Sequence, residues 1–528
     1  MSENTSRGRL MFASFLTLVA SGVGFATRAS MAGTWESTFN IGAESFGQIM
    51  GAGFLGFGIM IFFGGIITEK LGYKTVLTIA FLLHLLSAVA LFGARPLFES
   101  LQTSDPELAT AQTFRLIYWS CFLFSIAQGL YEAVINPMIA QLYPENQTHY
   151  LNILHAGWPA GMILGCIISY ATIGNTSMFA VGMWELPLTS FALFVLAYGV
   201  LAFPHRFPQT VSSKTQNFGQ LFSCFLSPVF ILLLLLHACI GYVELGVDSW
   251  VTKLMENLLP NSVTILLYTS FLMFILRFFA GPIVHRINPI GLLFCSSVIA
   301  ALGLLWLGSE INSVGMIFAA ATFYSLGKAF LWPTMLGVAG ERFPQSGAVA
   351  MGALGAAGML TVGLLAGQAI GYKQASNASA ELKKIAPDTF DRYAEADSKV
   401  FLGLPSYRPL APAFTNAANA AVKPDGTIDT KEFDKLKASL LDQISRSKDT
   451  EGQLKLDTQV TRINQVLLPT IAEDAPKVRA ANLFGGRRAL TLTAAVPAAM
   501  AVGYLLLLGY FAMTGGYKKI DLNGDQQN

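Results

Sequence analysis

Apolar runs of about 20 residues recur along almost the whole chain, and that is the length a helix needs to cross the hydrocarbon core of a bilayer. A chain built this way is expected to fold as an all-α polytopic membrane protein. Read against their Gly, Pro and charged boundaries, the runs give twelve candidate transmembrane helices, beginning near Leu10, Ser45, Thr75, Phe114, Leu151, Leu186, Ser227, Ser262, Ile290, Ser313, Ala348 and Arg488. The first continues to about Met31, too long for the 7 to 15 apolar residues of a cleaved signal core, and is expected to stay as a span. Composition agrees: 12% of residues are charged and 53% hydrophobic, where a soluble domain has roughly 25% charged. A net charge of +2 leaves no basic stripe for a nucleic-acid partner. Cys121, Cys166, Cys224, Cys239 and Cys295 lie in or beside apolar runs and read as small core residues.

Charge is concentrated in residues 372–487, which hold nearly half of the Lys, Arg, Asp and Glu. Elsewhere the short loops set orientation. Arg7 and Arg9, Lys70 and Lys74, His205, Arg206 and Lys214, Arg286, Arg342, and Lys518 and Lys519 alternate with loops poorer in cations. By the positive-inside rule these loops face the cytoplasm. The protein is therefore expected in the cell membrane with both termini cytoplasmic. The expected organisation is a six-helix bundle over 1–204, a cytoplasmic linker over 205–226, helices 7 to 11 over 227–371, an extracytoplasmic helical insert over 372–487, and helix 12 with a cytoplasmic tail over 488–528.

The two sets of six spans resemble each other faintly, as expected of transporters built from repeated halves. Gly65 to Lys70 after span 2 lines up with Gly281 to Arg286 after span 8, and the same spacing sets Arg28 of span 1 on Glu244 of span 7. Setting Pro137 of span 4 on Pro333 of span 10 puts Glu132 opposite Lys328. Two pseudo-symmetric six-helix bundles follow as the expected architecture.

Between spans 2 and 3, Gly65, Glu69, Lys70, Gly72, Tyr73 and Lys74 form a stretch that resembles the loop motif Gly-x-x-x-Asp-x-x-Gly-Arg-Lys of the major facilitator superfamily. Glu69 stands for the Asp and Tyr73 for the Arg. More narrowly, Glu132-x-x-x-Asn136-Pro137, Leu142-x-Pro144-Glu145 and Leu151-Asn152 look like the corresponding stretch of the fucose/galactose/glucose-proton symporters. The resemblance covers most of the first half, is weaker in the second and does not reach 372–487. It implies the major facilitator fold, with spans 1, 4, 7 and 10 lining a central cavity, and proton coupling through acids in spans 1 and 4. Glu132 matches the second of those acids. The core of span 1 holds no acid, and Arg28 lies there instead.

A charge near the middle of a bilayer costs at least about 2.5 to 3.5 kcal/mol on insertion scales, so it normally faces the bundle interior. Arg28, Glu132, Glu244, Arg277 and Lys328 are such charges. Depth along the helices favours pairing Arg28 with Glu244 and Glu132 with Lys328. Those pairs could be alternating gates or static ion pairs. Asp248, one turn beyond Glu244, is expected to be solvated, and Arg277 either to be buried or to snorkel to the cytoplasmic surface. Asn136, Asn152, His155, Trp158 and Trp332 are candidate substrate contacts, because sugars bind through amides, charges and aromatic faces. His84 and His237 read as packed helix residues. Gly47 and Gly51, Gly157, Gly161 and Gly165, and Gly363, Gly367 and Gly371 recur at the spacing that lets helices approach closely.

Gly51, Gly53 and Gly56 fit the dinucleotide fingerprint, but inside an apolar run with no strand before it. Asp425, Gly426, Asp429 and Glu432 resemble half of a calcium loop whose first ligand positions would be Ala421 and Lys423, so no metal and no cofactor is expected. No nucleophile motif or phosphate loop points to an enzyme. The expected function is proton-coupled symport of a small polar solute, a sugar, by a monomer. Alternatives are an organic anion carrier using Arg28 and Lys328 as clamps, and a solute sensor signalling through the insert.

Overall fold

The computed structural model describes residues 2–41, 43–172, 185–211, 218–255, 263–311, 313–423, 427–446 and 450–520. Ser262, Lys214, Asp425 and Gly426 lie outside the described residues. The described chain is almost wholly helical, as a bilayer requires of spans that must satisfy their own backbone groups. The first half comprises α1 (Ser2–Ala29), α2 (Ala43–Leu71), α3 (Tyr73–Phe92), α4 (Pro106–Leu142), α5 (Gln147–His155), α6 (Gly157–Thr172) and α7 (Glu185–Ala202). The second comprises α8 (Pro228–Gly241), α9 (Val247–Met255), α10 (Val263–Leu276), α11 (Ala280–Leu307), α12 (Val314–Lys328), α13 (Leu331–Arg342), α14 (Gly347–Thr361) and α15 (Gly367–Ile385), then α16 (Leu468–Thr493) and α17 (Ala495–Met513). Caps mark some boundaries: Asp105 accepts the Leu108 N–H at 2.9 Å and Pro106 opens α4, a side-chain N-cap with proline in the first turn.

Among the described residues, 10 helical stretches are long and apolar enough to span a membrane. One difference from the twelve runs has a local cause. The eighth and ninth runs form one stretch, Thr264–Leu307, bent at Asn288; Pro289 follows it and disfavours helical backbone there. The sixth run is represented by the apolar helix α7, Glu185–Ala202.

Within the first half, α1 packs on α6 and α7, and α4 on α2 and α3; within the second, α11 packs on α12 and α17, and α8 on α14. The halves meet where α2 lies along α14, α5 along α13 and α6 along α10. Gly157, Gly161 and Gly165 seat α6 on α1: a Cβ at Gly161 would lie 2.2 Å from the Val19 carbonyl oxygen. Gly47 and Gly51 break the expectation, because a Cβ at either would meet nothing within 4 Å. Leu82, Leu86 and Val89 form an exposed stripe on α3 at helical spacing, a surface suited to lipid.

The polar segment has an apolar core of its own, built from Leu382, Phe390, Tyr393, Phe414, Phe433, Ile463, Leu467 and Val478. Helices α15 and α16 run out of the bundle and pack together as its stem. Two of its helices are Lys431–Arg446 and Thr450–Arg462. Arg392 holds Asp474 at 2.6 Å beneath them. In the calcium-loop-like stretch, Lys423 Nζ lies 3.1 Å from Asp429. The Lys431 backbone N–H, and then Lys423, hold the Asp429 carboxyl below its ordinary range.

Candidate functional site

Glu132 and Asn136 stand one turn apart on one face of α4. The Asn136 amide donates to Glu132 Oε2 at 3.3 Å, and its oxygen lies 3.0 Å from His155 Nε2. An amide oxygen only accepts, so with Asn136 oriented this way His155 carries its proton on Nε2. Among the described residues, no cation lies within ion-pair distance of Glu132, which is 5% exposed.

His155 ends α5, and Pro159 follows four residues later. Proline has no N–H to give the carbonyl four residues back, so the His155 carbonyl is left free. Pro333 does the same for Ala329. Both carbonyls accept from Arg277: Nη1 to His155 at 2.6 Å and Nε to Ala329 at 2.8 Å. Nη2 donates to Glu244 at 2.7 Å. One guanidinium, 1% exposed, thus ties the end of α5 in the first half to the turn after α8 and to the residue that caps α12 in the second.

Glu244 sits in a π-turn, Tyr242–Gly246, between α8 and α9, a local widening often found at functional sites. Gly241 opens that turn against Gly358; a Cβ there would lie 2.3 Å from the Gly358 carbonyl oxygen, so no larger residue fits. Tyr324 donates to the Val243 carbonyl at 2.6 Å and pins the turn from α12. Asp248, one turn on, forms an ion pair with Lys328.

The expected pairs, Arg28 with Glu244 and Glu132 with Lys328, are therefore not those of the structure. Both span-7 carboxylates take cations from their own half. Asp248 is half-buried in an ion pair instead of freely solvated, and Arg277 is a buried hub instead of a snorkelling side chain. Arg28 lies far from Glu244 in bonding terms: its guanidinium is 3.9 Å from the Phe124 ring centroid and 4.8 Å from that of Phe191, and donates to Gly24 and Ser87. Cation–π contact replaces a counter-ion there.

Of the candidate substrate contacts, Asn136 and His155 join Glu132, and Trp158 is half-buried with its ring 5.6 Å from that of Phe25. Asn152 instead donates to Thr334 at 3.2 Å across the halves. Trp332 is buried with its ring 4.5 Å from that of His237. His84 is buried too, 3.1 Å from the Tyr198 hydroxyl.

The loop motif helps close one end. A Cβ on Gly65 would lie 2.6 Å from the Ala348 carbonyl oxygen, and Glu69 accepts the Ala348 N–H at 3.0 Å, at the start of α14. A carboxylate at a helix N-terminus is favoured by the helix dipole. Gly72 turns with a φ of 80°, and Lys74 donates to the Phe203 carbonyl at 2.9 Å. The repeat-related Gly281 donates its N–H to His149 at 3.1 Å, again across the halves. The tail completes the closure: Tyr517 bonds Glu341 at 2.8 Å and Lys519 bonds the Glu145 carbonyl at 2.6 Å. A recess of about 840 Å³ near Asn40, Asp105 and Phe114 shares no residue with the charged cluster. Among the described residues, no three His, Cys, Asp or Glu side chains converge as a metal site needs.

Residues 10–366 match the family described as Major Facilitator Superfamily. No curated protein matches the sequence. Among solved structures, the proton:xylose symporter XylE of E. coli superposes with a TM-score of 0.57 at 16% identity, over 69% of this chain and 88% of that one. The E. coli fucose:proton symporter FucP gives 0.56 at 18%, over 70% and 92%. A bacterial homologue of the human lysosomal transporter Spinster gives 0.54 at 14%, over 95% and 96%. At these identities the likeness is one of fold.

Proposed function

The chain belongs to the major facilitator superfamily, and on that premise we propose that it is a secondary active transporter carrying a small polar solute, a sugar, together with a proton by alternating access. The observation that carries this reading is Glu132: a buried carboxylate whose hydrogen bond comes from an amide and not from a cation. A carboxylate in that setting is costly to keep charged, and taking up a proton removes the cost. Sugar hydroxyls can replace the bond between Asn136 and His155. Arg277 is within electrostatic reach of Glu132, so the proton on Glu132 alters the field on the guanidinium that ties the halves through the His155 carbonyl. Solute, proton and closure then meet within a few side chains.

An organic anion is less well supported, because Lys328 already holds Asp248 and Arg28 is enclosed by rings. In this reading the protein works as a monomer in the cell membrane with both termini cytoplasmic. Its insert then lies outside, and a single Cys at Ser398 in intact cells should react with an impermeant maleimide; labelling only after lysis would reverse the orientation.

The coupling test is Glu132→Gln in sealed vesicles. Accumulation of solute driven by an imposed proton gradient should vanish while exchange of solute for solute persists. Gradient-driven accumulation at the wild-type level would overturn the role of Glu132.

A further inference from the structure

One small feature of the insert exposes apolar side chains that its own core does not use. Lys399 and Tyr407 pair as an antiparallel bridge, with the Lys399 N–H donating at 2.8 Å and the Tyr407 N–H at 3.1 Å. The chain between them turns at Leu402 and Gly403, with φ of 46° and 75°. A left-handed conformation is uncommon for leucine. Val400, Leu402 and Leu404 are 63%, 75% and 45% exposed, and no charged residue lies between Lys399 and Arg408. In water such a tip is strained and poorly solvated at once.

Its attachment fixes what it stands beside. Tyr372 donates its hydroxyl to the Pro405 carbonyl at 2.8 Å, and its ring lies 5.9 Å from that of Phe401 and 5.4 Å from that of Tyr407. Tyr372 continues, at steps of four, the exposed face of the α14–α15 run that carries Leu364 and Gln368. From Gly347 to Tyr372 that run rises roughly 38 Å at ~1.5 Å per residue. That exceeds the ~30 Å hydrocarbon core and falls within the ~40–45 Å that includes the headgroups. Tyr372 thus stands at the membrane–water boundary on a lipid-facing side, where tyrosine is enriched.

We propose that the hairpin 399–407 is a lipid anchor, its aliphatic tip seated in the headgroup and upper acyl region of the bilayer that the bundle spans. The occupant is the bilayer itself, because the hairpin is continuous with the lipid-facing side of the helix that holds it. The cations at the hairpin base are tethered at headgroup level: Lys399 lies 3.4 Å from Glu395, and Arg408 lies 3.1 Å from Asp391. Anchored this way, the insert is fixed to the second half and moves with α14 and α15. The inference rests on the membrane-spanning fold and not on the solute or the coupled ion.

The test uses the full chain without its own cysteines, carrying Leu402→Cys or Ser398→Cys labelled with bimane. Each is placed in vesicles of equal parts phosphatidylcholine and phosphatidylglycerol and checked for a single folded species by size exclusion. Lipid brominated high on the acyl chain should quench the label at position 402 at least several-fold more than the label at 398, and aqueous iodide should do the reverse. Equal iodide quenching at both positions would overturn the anchor. So would quenching at 402 by neither agent, the result expected if the tip covered the mouth between the halves.

Discussion

The two halves handle buried charge in opposite ways. In the second half each acid has its cation: Glu244 with Arg277 and Asp248 with Lys328. In the first half, Arg28 rests between phenylalanine rings and Glu132 rests on an amide, and neither has an ionic partner among the described residues. A matched pair resists protonation changes, because losing one charge strands the other. A carboxylate without a counter-ion can gain and lose a proton without stranding an opposite charge. The difference makes the second half the scaffold and the first half the seat of the charge that changes.

The largest effect should come from breaking the matched set. Glu244→Gln leaves the Arg277 guanidinium buried without its carboxylate, and stranding a buried charge is typically destabilising by ~3 to 5 kcal/mol. Arg277→Leu should cost at least as much, because the carbonyls of His155 and Ala329 lose their donor as well. Thermal unfolding in detergent measures both. The double substitution Arg277→Leu with Glu244→Leu should recover part of the loss, since replacing a whole buried pair is often near neutral. If the single substitutions are as mild as a surface change, the second half is not the scaffold described.

Arg28→Leu should be milder. It removes two hydrogen bonds, one of them long at 3.4 Å, and two ring contacts, but strands no opposite charge. Cation–π contacts are worth ~0.5 to 2 kcal/mol each, partly offset by no longer burying a guanidinium, so a loss of about 1 to 2 kcal/mol is expected in the same assay. A loss matching that of Arg277→Leu would mean that Arg28 has an acidic partner after all.

This contrast was only half legible in the sequence. The apolar runs and the Gly65–Lys74 motif announce the helices and the family, because span length and a short loop are local properties. Aligning the halves finds which residues occupy related positions, but related positions lie in opposite bundles and need not touch. Glu244 turns to Arg277 because a π-turn sets its direction and because Pro159 and Pro333 leave two carbonyls free for the same guanidinium. The prolines were a usable signal: a missing amide in an apolar helix marks an unfilled acceptor four residues back. Gly47 and Gly51 have the spacing of a packing face yet meet nothing, since spacing defines a face and not its neighbour.

The smallest effect expected on stability is the one that sharpens the comparison most. Glu132→Gln replaces a charged acceptor by a neutral one of nearly the same shape. The bond from Asn136, 3.3 Å long, falls from the ~1.5 to 3 kcal/mol of a charged hydrogen bond towards the ~0.5 to 1.5 of a neutral one. Against that loss, a buried charge disappears, and its burial costs a comparable amount or more. The two changes oppose each other, so the unfolding midpoint should move little and in either direction, by an amount equivalent to less than about 1 kcal/mol. Proton-driven accumulation should nevertheless be lost. Stability kept with coupling lost is the pattern of a carboxylate that serves transport and not the scaffold. If Glu132→Gln destabilises the protein as much as Glu244→Gln does, Glu132 is a structural charge with an unseen counter-ion, and the division of labour between the halves fails.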